Sequence, residues 1–399
     1  MVAAARVILA RVTMIAVLRR LLALLVIVGS AAAPMALTPL AQAGPLTDCG
    51  WSRRIGADTL NVALPDTFAN YWMAAVPALP AEGLTLRGRY PHGRYISFTS
   101  YQGSRTLDGL DDLRIEPDPG STNPFRPGAD RTATERSFTV RVLPGPRPTQ
   151  PAPNTLYADS GLALIIYRVY RTDEGRDPLG GEPLPEITVH RTDGPRLLPA
   201  CAADQGAPDT SAVHLSSGPR LPAGVPGPGY RTWSRTSGDG VFANPDNTYL
   251  ASRVAPRAGQ IAVVRAQLPT TPATFGGQPT MAPAQLRYWS MCANELASTR
   301  VSACVVDDET PVDERGWFTV VVSDPADRPA NATRDCGVAW LPATGFETTL
   351  LMRNMLPDTD FEHSIQRAPE ADPAAGMGSY YPRTELVTTA EFGATGCAR

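Results

Sequence analysis

The chain has 399 residues, with 36 basic and 39 acidic side chains, 40 prolines, 34 glycines, six cysteines and four histidines. It contains no lysine, which excludes a phosphate-loop lysine and Schiff-base chemistry. A net charge of −3 argues against a global nucleic-acid footprint, and so few histidines argue against a histidine-built metal centre.

The first 43 residues read as an export signal. Arg6, Arg11, Arg19 and Arg20 precede the apolar run Leu21–Val28, and small residues lead to Ala41-Gln42-Ala43. Pro34 ends the apolar stretch short of the roughly 20 residues a membrane-spanning helix needs. The expectation is a secreted or envelope-associated protein with no membrane span after cleavage. All six cysteines (Cys49, Cys201, Cys292, Cys304, Cys336 and Cys397) follow this segment and read as three disulfides. Fifteen pairings are formally open. Cys292 with Cys304 suits neighbouring strands, Cys49 with Cys201 would clip the first half, and Cys336 with Cys397 would tie down the tail. No C-x-x-C occurs, so no metal is expected.

The elements read mainly as strands. Ser137–Val142 alternates at period two, Leu84–Arg87 and Ile261–Val264 are short apolar runs, and Tyr95–Tyr101 and Leu162–Tyr170 are rich in aromatic and branched residues. Trp317–Val322 suits a covered strand. Phe68–Val76 reads as a short helix capped by Asp66 and stopped by Pro77. Residues 192–230 are rich in Pro, Gly, Ser and Ala and read as a linker or long loop.

Five anchors recur in the same order on either side of that linker. Pro65-Asp66 matches Pro245-Asp246; Arg87 through Pro91 matches Arg265 through Pro269; Arg94-Tyr95-Ile96-Ser97 matches Arg287-Tyr288-Trp289-Ser290. Phe138-Thr139-Val140 matches Phe318-Thr319-Val320, and Arg168 with Asp173 matches Arg353 with Asp358. The fold expected is therefore mainly β: two tandem, internally duplicated antiparallel β-sandwiches of jelly-roll type with few short helices. The first spans 44–191 and the second, with a C-terminal tail, 231–399.

These motifs carry a resemblance. Asn244-Pro245-Asp246-Asn247-Thr248-Tyr249, Arg287 through Glu295, Val322-Ser323-Asp324-Pro325 through Ala332, Trp340-Leu341-Pro342 and Arg353 through Pro357 resemble a family of exported bacterial proteins of unknown function. The first half is loosely similar to the DUF1214-type β-sandwich domain through Gly88 to Pro91 and Arg94 to Phe98. The resemblance implies export and a β fold, and carries no activity or cofactor.

Candidate chemistry falls into four groups. The repeated arginines 87 and 265, 94 and 287, and 168 and 353 could form anion sites, but conservation of place in two copies favours buried structural roles bonding carbonyls, Asp66 or Asp246. Arg89, Tyr90, His92 and Arg94 cluster in the first copy only, with His92 a possible general base or a plain turn residue. Asp108, Asp111, Asp112, Glu116 and Asp118 read as a solvated acidic loop without calcium-loop spacing. Asp246, Asn247, Tyr249, Asn294 and Glu295, with Asp324 and Asn331, could converge. Asp246 and Glu295 would be the catalytic pair of a polysaccharide hydrolase, and Arg89, His92, Arg94, Asn247, Tyr249, Arg287 and Asn294 the ligand contacts. The leading expectation is a binding protein for an envelope or extracellular ligand, possibly a glycan, with no cofactor. The alternative is that hydrolase.

Overall fold

The computed structural model describes residues 49–201, 229–230, 232–236, 240–295 and 297–397. The expected signal segment and most of the expected linker lie outside them. The first nine strands are β1 (Ala69–Pro77), β2 (Leu84–Arg89), β3 (Gly93–Gln102), β4 (Arg105–Asp111), β5 (Ser137–Pro144), β6 (Thr155–Ala158), β7 (Leu162–Thr172), β8 (Glu186–Arg191) and β9 (Gly194–Leu198). The remaining ten are β10 (Gly229–Tyr230), β11 (Ser234–Arg235), β12 (Asn247–Ala255), β13 (Gln260–Gln267), β14 (Leu286–Glu295), β15 (Arg300–Val306), β16 (Trp317–Ser323), β17 (Ala339–Pro342), β18 (Thr348–Pro357) and β19 (Arg383–Thr388). Two five-residue helices, α1 (Pro373–Met377) and α2 (Thr389–Gly393), lie near the C-terminus. The protein is mainly β, as its alternating runs require.

The sheet orders show the duplication. The first half forms β1-β7-β3-β4 and β6-β5-β2-β8-β9; the second forms β12-β18-β14-β15, extended by β10 and β11, and β17-β16-β13-β19. Each strand from β1 to β8 has a counterpart in the same place from β12 to β19. Even the exception repeats: β5–β6 and β16–β17 are parallel in otherwise antiparallel sheets. Register repeats as well. Arg87 pairs with Thr139 and Arg265 with Thr319; Arg168 lies between Tyr71 and Ser97, and Arg353 between Tyr249 and Ser290.

Each half has its own apolar core between its two sheets. Trp51, Trp72, Phe98, Phe138 and Tyr167 fill the first; Leu250, Trp289, Met291, Phe318 and Met352 fill the second. In β5, Phe138, Val140 and Val142 are buried while Arg141 is exposed, the alternation of a strand wet on one face. In β3, β7, β14 and β18 nearly every residue is buried, so these central sheets are covered on both faces. One face meets the half's own core. The other meets the opposite half, where Ala69, Tyr95 and Tyr170 join Tyr288, Val306 and Met355 in one cluster.

Three expectations need correction. Phe68–Val76 is not a helix: from Ala69 on it is β1, paired with β7 from Ala69–Tyr170 to Pro77–Leu162. Asp66 caps only the Phe68 N–H, at 3.0 Å, because a nine-residue helix is marginal whereas β7 offers a full ladder. β9 lies inside the stretch read as linker and pairs with β8, so the first half's sheet runs on to Leu198. The acids at 108–112 are not solvated: Asp108, Asp111 and Asp112 are buried at the end of β4, each with an arginine partner. The three disulfides join Cys49 to Cys201, Cys292 to Cys304 and Cys336 to Cys397.

Candidate functional site

The faces through which the halves meet are built from alternate residues of the central strands, and many of these are polar. One cross-strand row reads Tyr71, Arg168, Ser97, Asp111; its counterpart reads Tyr249, Arg353, Ser290, Val306. Polar side chains on a doubly covered sheet must find partners within the protein, since exposure to water is denied them.

Several charges solve the problem by crossing between halves. Arg94 donates to Asp307, and at 2.6 Å to Asp308; Arg287 donates to Asp112 at 2.9 Å. Because Arg94 and Arg287 are counterparts, as are Asp112 and Asp307, each half's arginine is neutralised by the other half's aspartate. The second carboxylate oxygens repeat too: Asp112 Oδ2 accepts from the Ile96 N–H and Asp307 Oδ2 from the Trp289 N–H. Arg287 also donates to the Arg94 and Phe125 carbonyls. Arg94 and Arg287 thus join the halves, the buried structural role that their repetition favours, and this replaces the ligand contacts also assigned to them. Burial still pushes the Asp112 carboxyl up to about 7, even against Arg287.

The same inward faces carry a further cluster of polar side chains. Arg168 is buried and donates to Thr99 Oγ1 at 2.8 Å, the Tyr101 hydroxyl at 2.5 Å and the Phe242 carbonyl at 2.9 Å. None of these is a carboxylate. Arg353 donates to Cys292 Sγ and the Leu64 carbonyl and lies 3.5 Å from Asp66. The guanidinium carbon of Arg168 sits 5.9 Å from the Tyr71 ring centre, and that of Arg353 5.6 Å from Tyr249. Tyr170 meets Tyr71, Tyr95 and Tyr288 edge to face.

Several groups here are buried without a well-formed hydrogen bond: both amide atoms of Asn247, the Tyr288 hydroxyl and Ser97 Oγ. The Asn247 amide comes near the Tyr249 hydroxyl without an aligned bond to it. Asn247 and Tyr288 flank Met355 in one row of the second sheet, and Ser97 adjoins Arg168 in the first. Burial raises the hydroxyl pKa of Tyr71, Tyr95, Tyr170, Tyr249 and Tyr288, so all five remain phenols and can donate. Tyr71 and Tyr249 are only partly covered and lie at the solvent side of this cluster. Asp246 accepts from the Tyr95 hydroxyl at 2.6 Å, and burial, with Asp111 nearby, lifts its carboxyl to about 6.

The proposed acid pair is not assembled. Asn247, next to Asp246, shares a row with Tyr288, and Glu295 lies seven residues further along β14, about 23 Å at a strand's rise of roughly 3.3 Å per residue. Paired glycosidase carboxylates stand within about 10 Å. Glu295 instead accepts from Ser298 at 2.5 Å, and Asn294 bonds the Cys292 and Thr349 carbonyls beside a bulge. Asp324 caps a short turn, and Asn331 donates to the Phe392 and Gly396 carbonyls to hold α2. Of the convergent set, Asp246, Asn247 and Tyr249 share this cluster; Asn294, Glu295, Asp324 and Asn331 lie elsewhere. Asp66 and the Cys292 and Cys304 sulfurs lie within 4.8 Å of one another, but the disulfide leaves no thiolate for a metal.

His92 does not suit a base. Arg136 donates to its Nε2 at 2.7 Å, and burial, helped by Arg136, Arg176, Arg131 and Arg89, lowers the ring's pKa to about 4. Arg89 pairs with Glu182 and donates to the Thr134 carbonyl. Sequence reading missed Arg136, Tyr71 and Tyr101. Tyr71 was legible as the counterpart of Tyr249, but only once β1 is aligned with β12.

No family model and no curated protein matches the chain at a significant level. Among solved structures, an uncharacterised protein from Burkholderia cenocepacia is similar with a TM-score of 0.52 at 15% identity, covering 88% of this chain and 85% of that one. The VPA0106 protein of Vibrio parahaemolyticus aligns over 84% of this chain and 90% of its own, at 12% identity and a TM-score of 0.39. The first of these likenesses concerns the fold alone.

Proposed function

We propose that this is an exported binding protein that takes a small, acid-bearing polar ligand, such as a uronic-acid unit of an extracellular or envelope glycan, at the polar cluster between its halves. The observation that carries this reading is the gathering of buried polar groups without well-formed hydrogen bonds, on Asn247, Tyr288 and Ser97, beside Arg168, a buried cation whose hydrogen-bond partners are all neutral. A buried polar atom left unpaired costs about 1–3 kcal/mol, so several together mark a place completed by something outside the chain. The occupant's hydroxyls would meet Asn247 and the phenols, its carboxylate Arg168, and its sugar face the Tyr71 and Tyr249 rings. Export rests on the N-terminal signal pattern and agrees with three disulfides. Among the described residues no helix is long and apolar enough to cross a membrane.

The test is thermal unfolding with uronic-acid oligosaccharides and their neutral counterparts. A ligand at a hundred times its Kd stabilises by about 2.7 kcal/mol, a readily measured rise in Tm. Acidic sugars should raise Tm, neutral ones less, and Asn247→Leu should remove the effect. A cluster meeting only ordered water would give no rise with any sugar, and the reading would fall.

A further inference from the structure

A second site lies around His92, in the first half only. The counterpart of His92 is Gln285, that of Arg89 is Gln267 and that of Arg136 is Gly316, so the duplicated scaffold does not require these side chains. Arg136 is 2% exposed, yet none of its hydrogen-bond partners is a carboxylate. It donates to His92 at 2.7 Å and, at 3.3–3.4 Å, to the Pro91 and Arg131 carbonyls, while its Nε–H is buried without a partner. Glu182 and Asp173 act on Arg136 only from a distance, and a buried guanidinium whose hydrogen-bond partners are all neutral is costly unless an anion completes it.

The surroundings are rich in positive charge. Arg131 is nearby and engages Asp173 at 2.6 Å; Arg89 engages Glu182 at 2.8 Å; Arg176 is exposed at the rim. Glu174 and Asp177 are exposed on the adjoining loop, where Asp177 caps its own turn through the Leu179 and Gly181 N–H groups. That loop is pressed onto the histidine. His92 N–H donates to the Gly180 carbonyl at 3.0 Å, and Gly180 has φ +66°, where a Cβ would come within 2.5 Å of the His92 carbonyl. Four arginines therefore converge on a half-buried imidazole, and the two carboxylates among them are already paired. Arginine forks in such a setting bind oxyanions with charge-assisted hydrogen bonds.

We infer that the His92–Arg136 cluster is a binding site for a small oxyanion of the phosphate, sulfate or carboxylate class, with Arg89 and Arg176 at its mouth. The site is separate from the polar cluster between the halves and does not depend on the function proposed for it.

Calorimetry of the full chain at fixed ionic strength, with sodium phosphate, sulfate and acetate as separate probes and chloride as the background, tests this. One oxyanion should bind with a stoichiometry of one. Arg136→Gln and the exposed Arg176→Ala should each weaken it about ten-fold, a loss of one charge-assisted contact. Asn247→Leu should leave it unchanged. Proton NMR gives a second reading. The bound anion offsets the four arginines, so the His92 ring, assigned through His92→Gln, should titrate at a higher pH in its presence. Arg176→Ala keeps the experiment decisive should Arg136→Gln not fold. Absence of binding heat together with an unmoved His92 titration overturns the inference, as does binding that Arg176→Ala leaves at full strength.

Discussion

Arg94 and Arg287 occupy the same place in the two copies, and each is neutralised by an aspartate of the other copy. Removing one partner of a buried ion pair strands the other, at a cost of about 3–5 kcal/mol. Urea unfolding at pH 8, where the Asp112 carboxyl is ionised, should therefore show losses of that size for Arg94→Met and for Arg287→Met. Arg87 and Arg265 repeat just as faithfully but lie on the outer sheets, exposed. Alanine there should move stability by no more than about 0.5 kcal/mol. The sequence could show that these arginines repeat, but not that the three pairs differ in burial. That difference depends on which face of each sheet the opposite half covers, which is a property of long-range packing. Asp112, just after β4, was misread for the same reason: its partner lies 175 residues away.

Among the elements, strands with one wet face were legible and those covered on both faces were less so. β5 kept its period-two pattern because Arg141 alternates with Phe138, Val140 and Val142. β1 has Tyr71, Met73 and Ala75 turned away from its own core and towards the other half, which blurs the alternation and lets the segment pass for a helix. The disulfides were readable because their spacing suited a hairpin, a half and a tail. α2 is held by the Asn331 amide and tied nearby by the Cys336–Cys397 bond. Replacing both cysteines by serine should raise amide hydrogen exchange in residues 389–397 while leaving β13 and β16 protected. Faster exchange throughout the second half would mean that the tail does more than close an edge.

For the whole molecule, stability should depend on pH in an unusual direction. The Asp112 and Asp246 carboxyls are lifted to about 7 and about 6 from an ordinary 3.8, so between pH 4 and 6 the folded chain holds protons that the unfolded chain has lost. Their stabilisation is complete below the unfolded value and is lost as pH rises through the folded one. His92 acts oppositely: lowered from 6.5 to about 4, it leaves the unfolded chain binding the extra proton, so its contribution falls as pH drops below 6.5. These two carboxyls against one imidazole leave a net excess of about one proton, a decline of about 1.4 kcal/mol per pH unit from pH 4.5 to 6, and the raised carboxyls of Asp173 and Asp307 act in the same direction. Denaturant midpoints across this range should fall with rising pH, fall more steeply in His92→Gln, and flatten in Asp112→Asn. A midpoint that climbs steadily to neutrality would show that the two acids are ionised in the folded state.

The crossed ion pairs also bear on the order of assembly. Arg94 waits for a partner 213 residues downstream, and Asp66 for Ser290, 224 residues away. Until β14, β15 and β18 have been synthesised, the first half has an apolar core to collapse around but buried charges, Arg94, Arg171, Asp66 and Asp112, whose ionic partners are still to come. Contacts so distant in sequence make folding slow and place its decisive step late. On this design the inward sheet of the first half reaches its final ion pairs only when the second copy is present, so the last step of folding joins the two copies.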